Sequence, residues 1–424
     1  MQQKAAQPQS QTQASGLLSA VDIWSTGPGA TGRVAPAASK PTQKAAATRL
    51  PPALLPIAEA PAVAEPVGVA KSLARRVADV IPALRERAGE PERAERRTWP
   101  PRKLSLALQG GGSFGAFTWG VLERILEEPG CELEAISGAS IGAVNAALLA
   151  CGFVADGRQG ATRRLARFWS RLTNESSFRS LMLIGGFSPA GSSVAFGASL
   201  KSGQFDPFDL DPLREALAKD IDFAALRAGH CPRLLVAATR VRDGGLKLFG
   251  NDDISPDVLL ASTCPPLVHC AVEIDGESYW DGGYSANPPV AGLVRAAESD
   301  VLVVQVTPSR DSYIPITSAA IDRRLDQITA NSVLNAEIAA LESARRDIAS
   351  GPRIFRIAAE DEIDGLAQRS AVDLGTNFIK LLHRSGRNAA DRWLRQLPNT
   401  TTAAMRQREK AGASAKPAAE AELV

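Results

Sequence analysis

A serine hydroxyl is a weak nucleophile at neutral pH unless the backbone presents it and a base takes its proton. Ser140 has the surroundings for presentation, because it lies in Gly138-Ala-Ser-Ile-Gly142 within the stretch Glu134 to Ala147. That stretch reads as a short strand, a sharp turn, and an Ala-rich helix from Ala143 to Ala150. In this context G-x-S-x-G pushes a serine out at a helix N-terminus. Gly138 and Gly142 let strand and helix run close together, and the helix aims free N–H groups at any oxyanion forming at Ser140.

The same pattern occurs a second time, at Gly111-Gly-Ser-Phe-Gly115, so context must decide between Ser113 and Ser140. The wider loop Gly110-Gly-Gly-Ser-Phe-Gly115 also spells G-x-G-x-x-G after a strand and before a helix, a dinucleotide signature. That reading requires an acidic residue closing the next strand to hold a ribose, and the next strand runs instead into Ser137-Gly138 and the elbow. A Gly-rich loop with bare amides serves an oxyanion by the same geometry. Gly110, Gly111 and Gly112 are therefore the expected oxyanion cradle, with Ser113 inside it and Ser140 facing it.

A base must complete the site. The chain has three histidines, His230, His269 and His383, each in a setting that suits a structural role. Only His383 follows Ser140 and Asp281 in the order of an α/β-hydrolase triad. The stronger candidate is Asp281 in Tyr279-Trp-Asp-Gly-Gly-Tyr-Ser-Ala-Asn-Pro-Pro-Val290. It follows a short apolar strand and precedes Gly282-Gly283, where the backbone can turn and leave the carboxylate at a cleft. An ordinary Asp-Gly turn would look the same in isolation.

The elements that would position these residues form an α/β succession. A buried strand is expected at Arg102–Leu108, then the Gly-rich loop, a helix over Ala116–Glu128 ended by Pro129-Gly130, the elbow strand and the elbow helix. Further strands are expected at Arg233–Thr239, Asp300–Thr307 and Arg353–Ile357. Helices are expected at Thr162–Leu172, from Asp209-Leu-Asp-Pro, and over Ile321–Arg346, with Leu325, Ile328, Leu334, Ile338 and Leu341 on one buried face. The segment Leu181–Gly203, rich in Gly, Ser and Phe, suits a lid or a lipid-contact surface.

Residues 1–98 are rich in Ala, Pro, Gln, Ser and Thr and are expected to be a mostly disordered arm. Within it, Val69, Leu73, Val77, Ile81 and Leu84 recur at helical spacing among basic residues, so residues 67–88 form a basic amphipathic helix. It suits either docking on the core or a membrane surface or partner. Residues 99–398 are the catalytic domain, and 399–424 a disordered tail. A net charge of +2 in 424 residues with no basic aromatic strip excludes a nucleic-acid binder. Five cysteines without a C-x-x-C pair give neither a disulfide framework nor a zinc site. No run of 18 apolar residues and no apolar leader occur, so a cytoplasmic chain is expected, peripheral at most on a membrane or lipid surface.

Taken together, Gly110-x-Gly112-x-x-Gly115, Gly138-x-Ser140-x-Gly142 and Asp281-Gly-Gly resemble the patatin-like phospholipases, as do Ala261-Ser-Thr-Cys-Pro-Pro-Leu267 and Asn287-Pro-Pro289. The resemblance covers residues 103–310, with weaker likeness to about 385. It implies a three-layer α/β/α fold on a mainly parallel sheet, a Ser140–Asp281 dyad needing no histidine, metal or cofactor, and a lipid or phospholipid substrate cleaved at a fatty-acyl ester. One position departs: the family often has a basic residue where this chain has Phe114, which leaves the headgroup open. Two other readings stand beside it, a Ser-His-Asp esterase and a membrane- or partner-binding scaffold that works through the N-terminal arm. Oligomeric state is not legible.

Overall fold

Continuous apolar runs make strands that are buried on both faces, and such strands pair in parallel beneath helices. In the computed structural model, which describes residues 73, 75–82, 99–176, 211–266, 271–296, 299–346 and 352–395, five of them do so. β1 (Lys103–Leu108), β2 (Glu132–Gly138), β3 (Arg233–Arg240), β7 (Asp300–Gln305) and β8 (Ile354–Ala358) lie in the order β3-β2-β1-β7-β8, all parallel. Beyond β3 the sheet turns antiparallel through β4 (Leu246–Phe249), β5 (Val272–Ile274) and β6 (Glu277–Asp281). Only β6 among these three short strands was expected.

The helices between strands are α2 (Gly115–Leu126), α3 (Ile141–Asn174), α4 (Asp211–Asp220), α5 (Pro256–Thr263), α6 (Val290–Ala296), α7 (Ser318–Arg346) and α8 (Thr376–Arg395). They cover both faces of the sheet. Side chains of a strand alternate between faces, and β1 and β7 divide accordingly. Leu104, Leu106, Leu108, Leu302 and Val304 join the larger core with Phe117, Leu148 and Leu382 of α2, α3 and α8. Ala107, Val301 and Val303 face a smaller core with Val290, Leu293 and Leu334 of α6 and α7. The result is a three-layer α/β/α sandwich on a mainly parallel sheet.

Two helices differ from expectation. The elbow helix and the helix at Thr162–Leu172 are one element, α3, broken at Asp156 (φ −158°) and Gly157 (φ +54°). Its apolar half is core: α3 is long and apolar enough to cross a membrane, but 67% of that window is buried in the protein. In α7 the expected single buried face is split. Leu334 and Leu341 are buried, whereas Ile321, Leu325 and Ile328 are 44%, 56% and 47% exposed. At 100° per residue the two sets point roughly 160° apart, so they were never one face.

Within the expected arm, residue 73 and residues 75–82 are described and helical; they are α1. Val77 and Val80 of α1 are buried, and Val80 joins the core of α6 and α7. The rest of that arm up to residue 98, the segment 181–203, His269 and the tail after 398 lie outside the described residues.

The two kinds of apolar residue predict opposite behaviour. Leu106→Ala, in the fully buried strand β1, should lower the unfolding free energy in a denaturant titration by about 2–5 kcal/mol. Ile314→Ala, 88% exposed, should stay within about 0.5 kcal/mol of the parent.

Candidate active site

In an open parallel sheet the crevice forms at the C-terminal strand ends where the strand order reverses direction. Here the order leaves β1 toward β2 on one side and reaches β7 on the other. A cavity of about 280 Å³ lies at that point. Gly110 and Gly111 after β1, Ser140 after β2, Asp281 at the end of β6 and Thr307 after β7 line it, with Phe114, Asn287 and the inner side of α7.

Ser140 occupies the elbow in a backbone conformation that disfavours a Cβ, φ +54° and ψ −133°, of the strained kind found at functional turns. Its own N–H is held from α5, where the Ser262 hydroxyl and carbonyl accept it at 3.0 and 3.2 Å. The next turn of the same segment holds the aspartate, since the Asp281 N–H donates to the Cys264 carbonyl at 2.9 Å. One short stretch therefore fixes both side chains of the expected pair. Ser140 and Asp281 are 6% and 2% exposed and line the same cavity, and the Ser140 hydroxyl favours the charged form of the Asp281 carboxyl.

Burial pushes the Asp281 carboxyl up to about 7, against the Gly283 N–H and the Ser140 hydroxyl, which favour its charged form. The Gly283 bond is 2.7 Å. Gly282 and Gly283 begin a short 3-10 turn, and the Thr239 hydroxyl steadies it by donating to the Asp281 carbonyl at 2.8 Å.

The Gly-rich loop approaches the elbow without side chains: a Cβ on Gly110 would lie 2.7 Å from the Ser140 Cβ. Gly110, expected as an oxyanion donor, spends its N–H on Asn287 Oδ1 at 2.6 Å. The N–H groups of Gly111 and Gly112 make no hydrogen bond among the described residues; Gly111 lines the cavity and Gly112, the third expected donor, does not. Gly115 opens α2, Gly138 closes β2 and Gly142 lies in the first turn of α3.

Ser113 and the histidines stand elsewhere. Ser113 is fully buried, its hydroxyl has no hydrogen-bond partner among the described residues, and it does not line the cavity. His383 pairs with Glu123 at 2.5 Å and stacks on Trp119 at 3.8 Å between α2 and α8. His230 lies against the Val154 carbonyl at 3.5 Å. Neither lines the cavity.

Several site residues stand outside the expected set. Gln109 binds the Val306 and Thr307 N–H groups at 2.9 and 2.8 Å and donates to Asn331 of α7 at 3.2 Å. Gln305 reaches the same Asn331 oxygen at 2.7 Å, so a buried amide network joins the Gly-rich loop, the end of β7 and α7. Arg323 and Arg369 line the cavity, supplying from other elements the positive charge that Phe114 lacks. Asp326 also lines it, and burial followed by the neighbouring Asp322 charge raises its carboxyl to about 8. No group of three metal-ligating side chains occurs among the described residues.

The model of the patatin-like phospholipase family matches residues 106–294. The chain is similar to the uncharacterized protein YjjU of Escherichia coli K12, 25% identical over 314 residues, which cover 69% of this chain and 78% of that one. Among solved structures it is similar to VipD of Legionella pneumophila (14% identity, 69% of this chain and 66% of that chain, TM-score 0.29). Human GIVD cytosolic phospholipase A2, solved with methyl gamma-linolenyl fluorophosphonate, gives 12% identity, 77% of this chain, 63% of that chain and a TM-score of 0.37. The chain thus spans just under two thirds of each of these two solved chains, and it is the strand order above that defines the fold.

The raised Asp281 value fixes the sign of a pH effect. A carboxyl that titrates near 7 when folded and near 3.8 when unfolded favours folding below the unfolded value, and that contribution is lost as pH rises through 7. Asp281→Asn removes a buried charge only where the charge exists. Its melting temperature should exceed the parent's at pH 8, and the difference should shrink steadily toward pH 4.

Proposed function

We propose that the chain, which matches the patatin-like phospholipase model over residues 106–294, is a lipid acyl hydrolase that works through a Ser140–Asp281 dyad and an acyl-enzyme. The observation that carries this reading is that the two buried side chains line one cavity together with a bare loop amide, where the Ser140 hydroxyl favours the charged Asp281 carboxyl. Asp281 takes the Ser140 proton as Oγ attacks the ester carbonyl. The Gly111 N–H receives the oxyanion. On collapse the proton passes to the departing alcohol, and a water activated by Asp281 then releases the fatty acid and frees Ser140. A base near 7 suits this work at neutral pH better than an ordinary carboxylate.

Arg323 and Arg369 support an acyl ester with an anionic headgroup. The outer surface favours a lipid aggregate over a dissolved ester. Tyr313, Ile314 and Ile316 are 71%, 88% and 88% exposed, and Ile321, Leu325 and Ile328 follow on the outer side of α7, whose inner side walls the cavity. Clustered large apolar side chains on a surface mark a site of contact. Contact there would set the cavity wall itself against the lipid. The triad alternative loses support, because His383 is engaged with Glu123 and Trp119 away from the cavity.

Ser140→Ala should abolish both turnover of a chromogenic fatty-acyl ester and labelling by a fluorophosphonate, while Ser113→Ala and His383→Ala keep most of each. Labelling that persists in Ser140→Ala would reassign the nucleophile. For the parent, kcat/KM should climb through about pH 7 and then level, as the Asp281 carboxylate forms.

Hydrolysis of vesicle phospholipid should fall at least about tenfold in Ile314→Asp with Ile316→Asp, a change on the scale of a lost interfacial anchor. Hydrolysis of a soluble short-chain ester should be retained. Equal losses on both substrates would remove the exposed ridge from the account.

A further inference from the structure

The family match starts at residue 106, yet a side chain from α1, well before it, reaches the loop behind the Asp281 turn: Arg76 Nη1 donates to the Ser285 carbonyl at 3.2 Å. α1 is seated for this by Val77 and Val80, both buried, the latter against α6 and α7. Ser285 is no passive partner. Its hydroxyl hydrogen-bonds Thr239 Oγ1 at 2.8 Å, the same oxygen that binds the Asp281 carbonyl. Its N–H closes the Asp281-Gly-Gly turn on the Gly282 carbonyl at 3.1 Å. Two residues on, Asn287 grips Gly110 of the oxyanion loop.

The far end of that loop meets a second charge. Glu337 of α7 is fully buried and accepts the Val290 N–H at 3.0 Å, at the start of α6. Its other oxygen has no hydrogen-bond partner among the described residues. Burial raises its carboxyl, and Arg76 is the charged group that opposes the rise.

We infer that Arg76 is a positioning residue, which from outside the family-matched domain holds the Asp281–Val290 loop by binding the Ser285 carbonyl. The hydrolase therefore needs α1, the segment whose sequence suits either docking on the core or a membrane surface or partner. The inference rests on the dyad reading for its effect on rate, but not for its effect on the loop.

The test uses the full chain with Arg76→Met and Arg76→Lys, comparing kcat and KM on a soluble chromogenic ester with amide hydrogen exchange. Arg76→Met should lower kcat about tenfold to a hundredfold with KM within about twofold, the scale of a displaced catalytic group. Exchange should quicken by about tenfold or more across residues 281–290 while β1 and β7 stay protected. Arg76→Lys keeps the charge but not the reach of the guanidinium, and should fall between parent and Arg76→Met on both readouts. It decides the matter alone if Arg76→Met does not fold. Parent-like kcat and exchange at 281–290 in either variant would overturn the inference, as would exchange quickened equally in β1 and β7. A parent protein with no turnover would count against the dyad reading instead, and the exchange pattern would still decide the role of Arg76.

Discussion

The exit of β1 and the first turn of α3 touch backbone to backbone. A Cβ placed on Gly142 would sit 2.2 Å from the Leu108 carbonyl oxygen, closer than any side chain could occupy. This contact brings two loops from adjacent strands to one point, the amide of Gly111 from one and the hydroxyl of Ser140 from the other. Everything around it serves to keep them there. Ser262 holds the elbow N–H, Asn287 holds Gly110, and Gln109 ties the β1 exit to the end of β7. The strained dihedrals of Ser140 persist because these neighbours leave no room to relax.

A second constraint follows from depth. Asp281 is almost fully buried, and burial alone would keep its carboxyl neutral. Two donors, the Gly283 N–H and the Ser140 hydroxyl, pull it back to about 7. That balance leaves it able both to accept a proton and to release one, with no imidazole involved. His383, the residue a reader of G-x-S-x-G would seek, spends its ring on a hydrogen bond to Glu123 and a stacked indole between α2 and α8.

The parallel strands were legible because burial on both faces writes them as unbroken apolar runs, and the elbow because its glycines sit at fixed offsets from Ser140. β4 and β5 were not, being three- and four-residue pieces that borrow their partners from β3 and β6. For α7, spacing revealed a helix but not its surroundings, since apolar periodicity marks a face without saying what covers it. Arg369 and Arg76 could not be found by any local pattern. Each acts on the site from an element distant in the chain, through a contact that exists only once the sheet has formed.

The buried amide cluster of Gln109, Gln305 and Asn331 fastens two stretches of the chain to each other. One, which the family model spans at 106–294, holds the residues proposed for bond breaking. The other, from β7 onward, holds Thr307, Asp322, Arg323, Asp326 and Arg369, which shape and charge the cavity, and the exposed ridge from Tyr313 to Ile328. Asn331 joins the second stretch to the first through side-chain amides rather than through the reacting groups. Substitutions along α7 can therefore alter which molecule enters, and from what surface, while the chemistry stays the same. In evolutionary terms, substrate range and catalytic competence are written in separate stretches of this chain and are free to change at different rates.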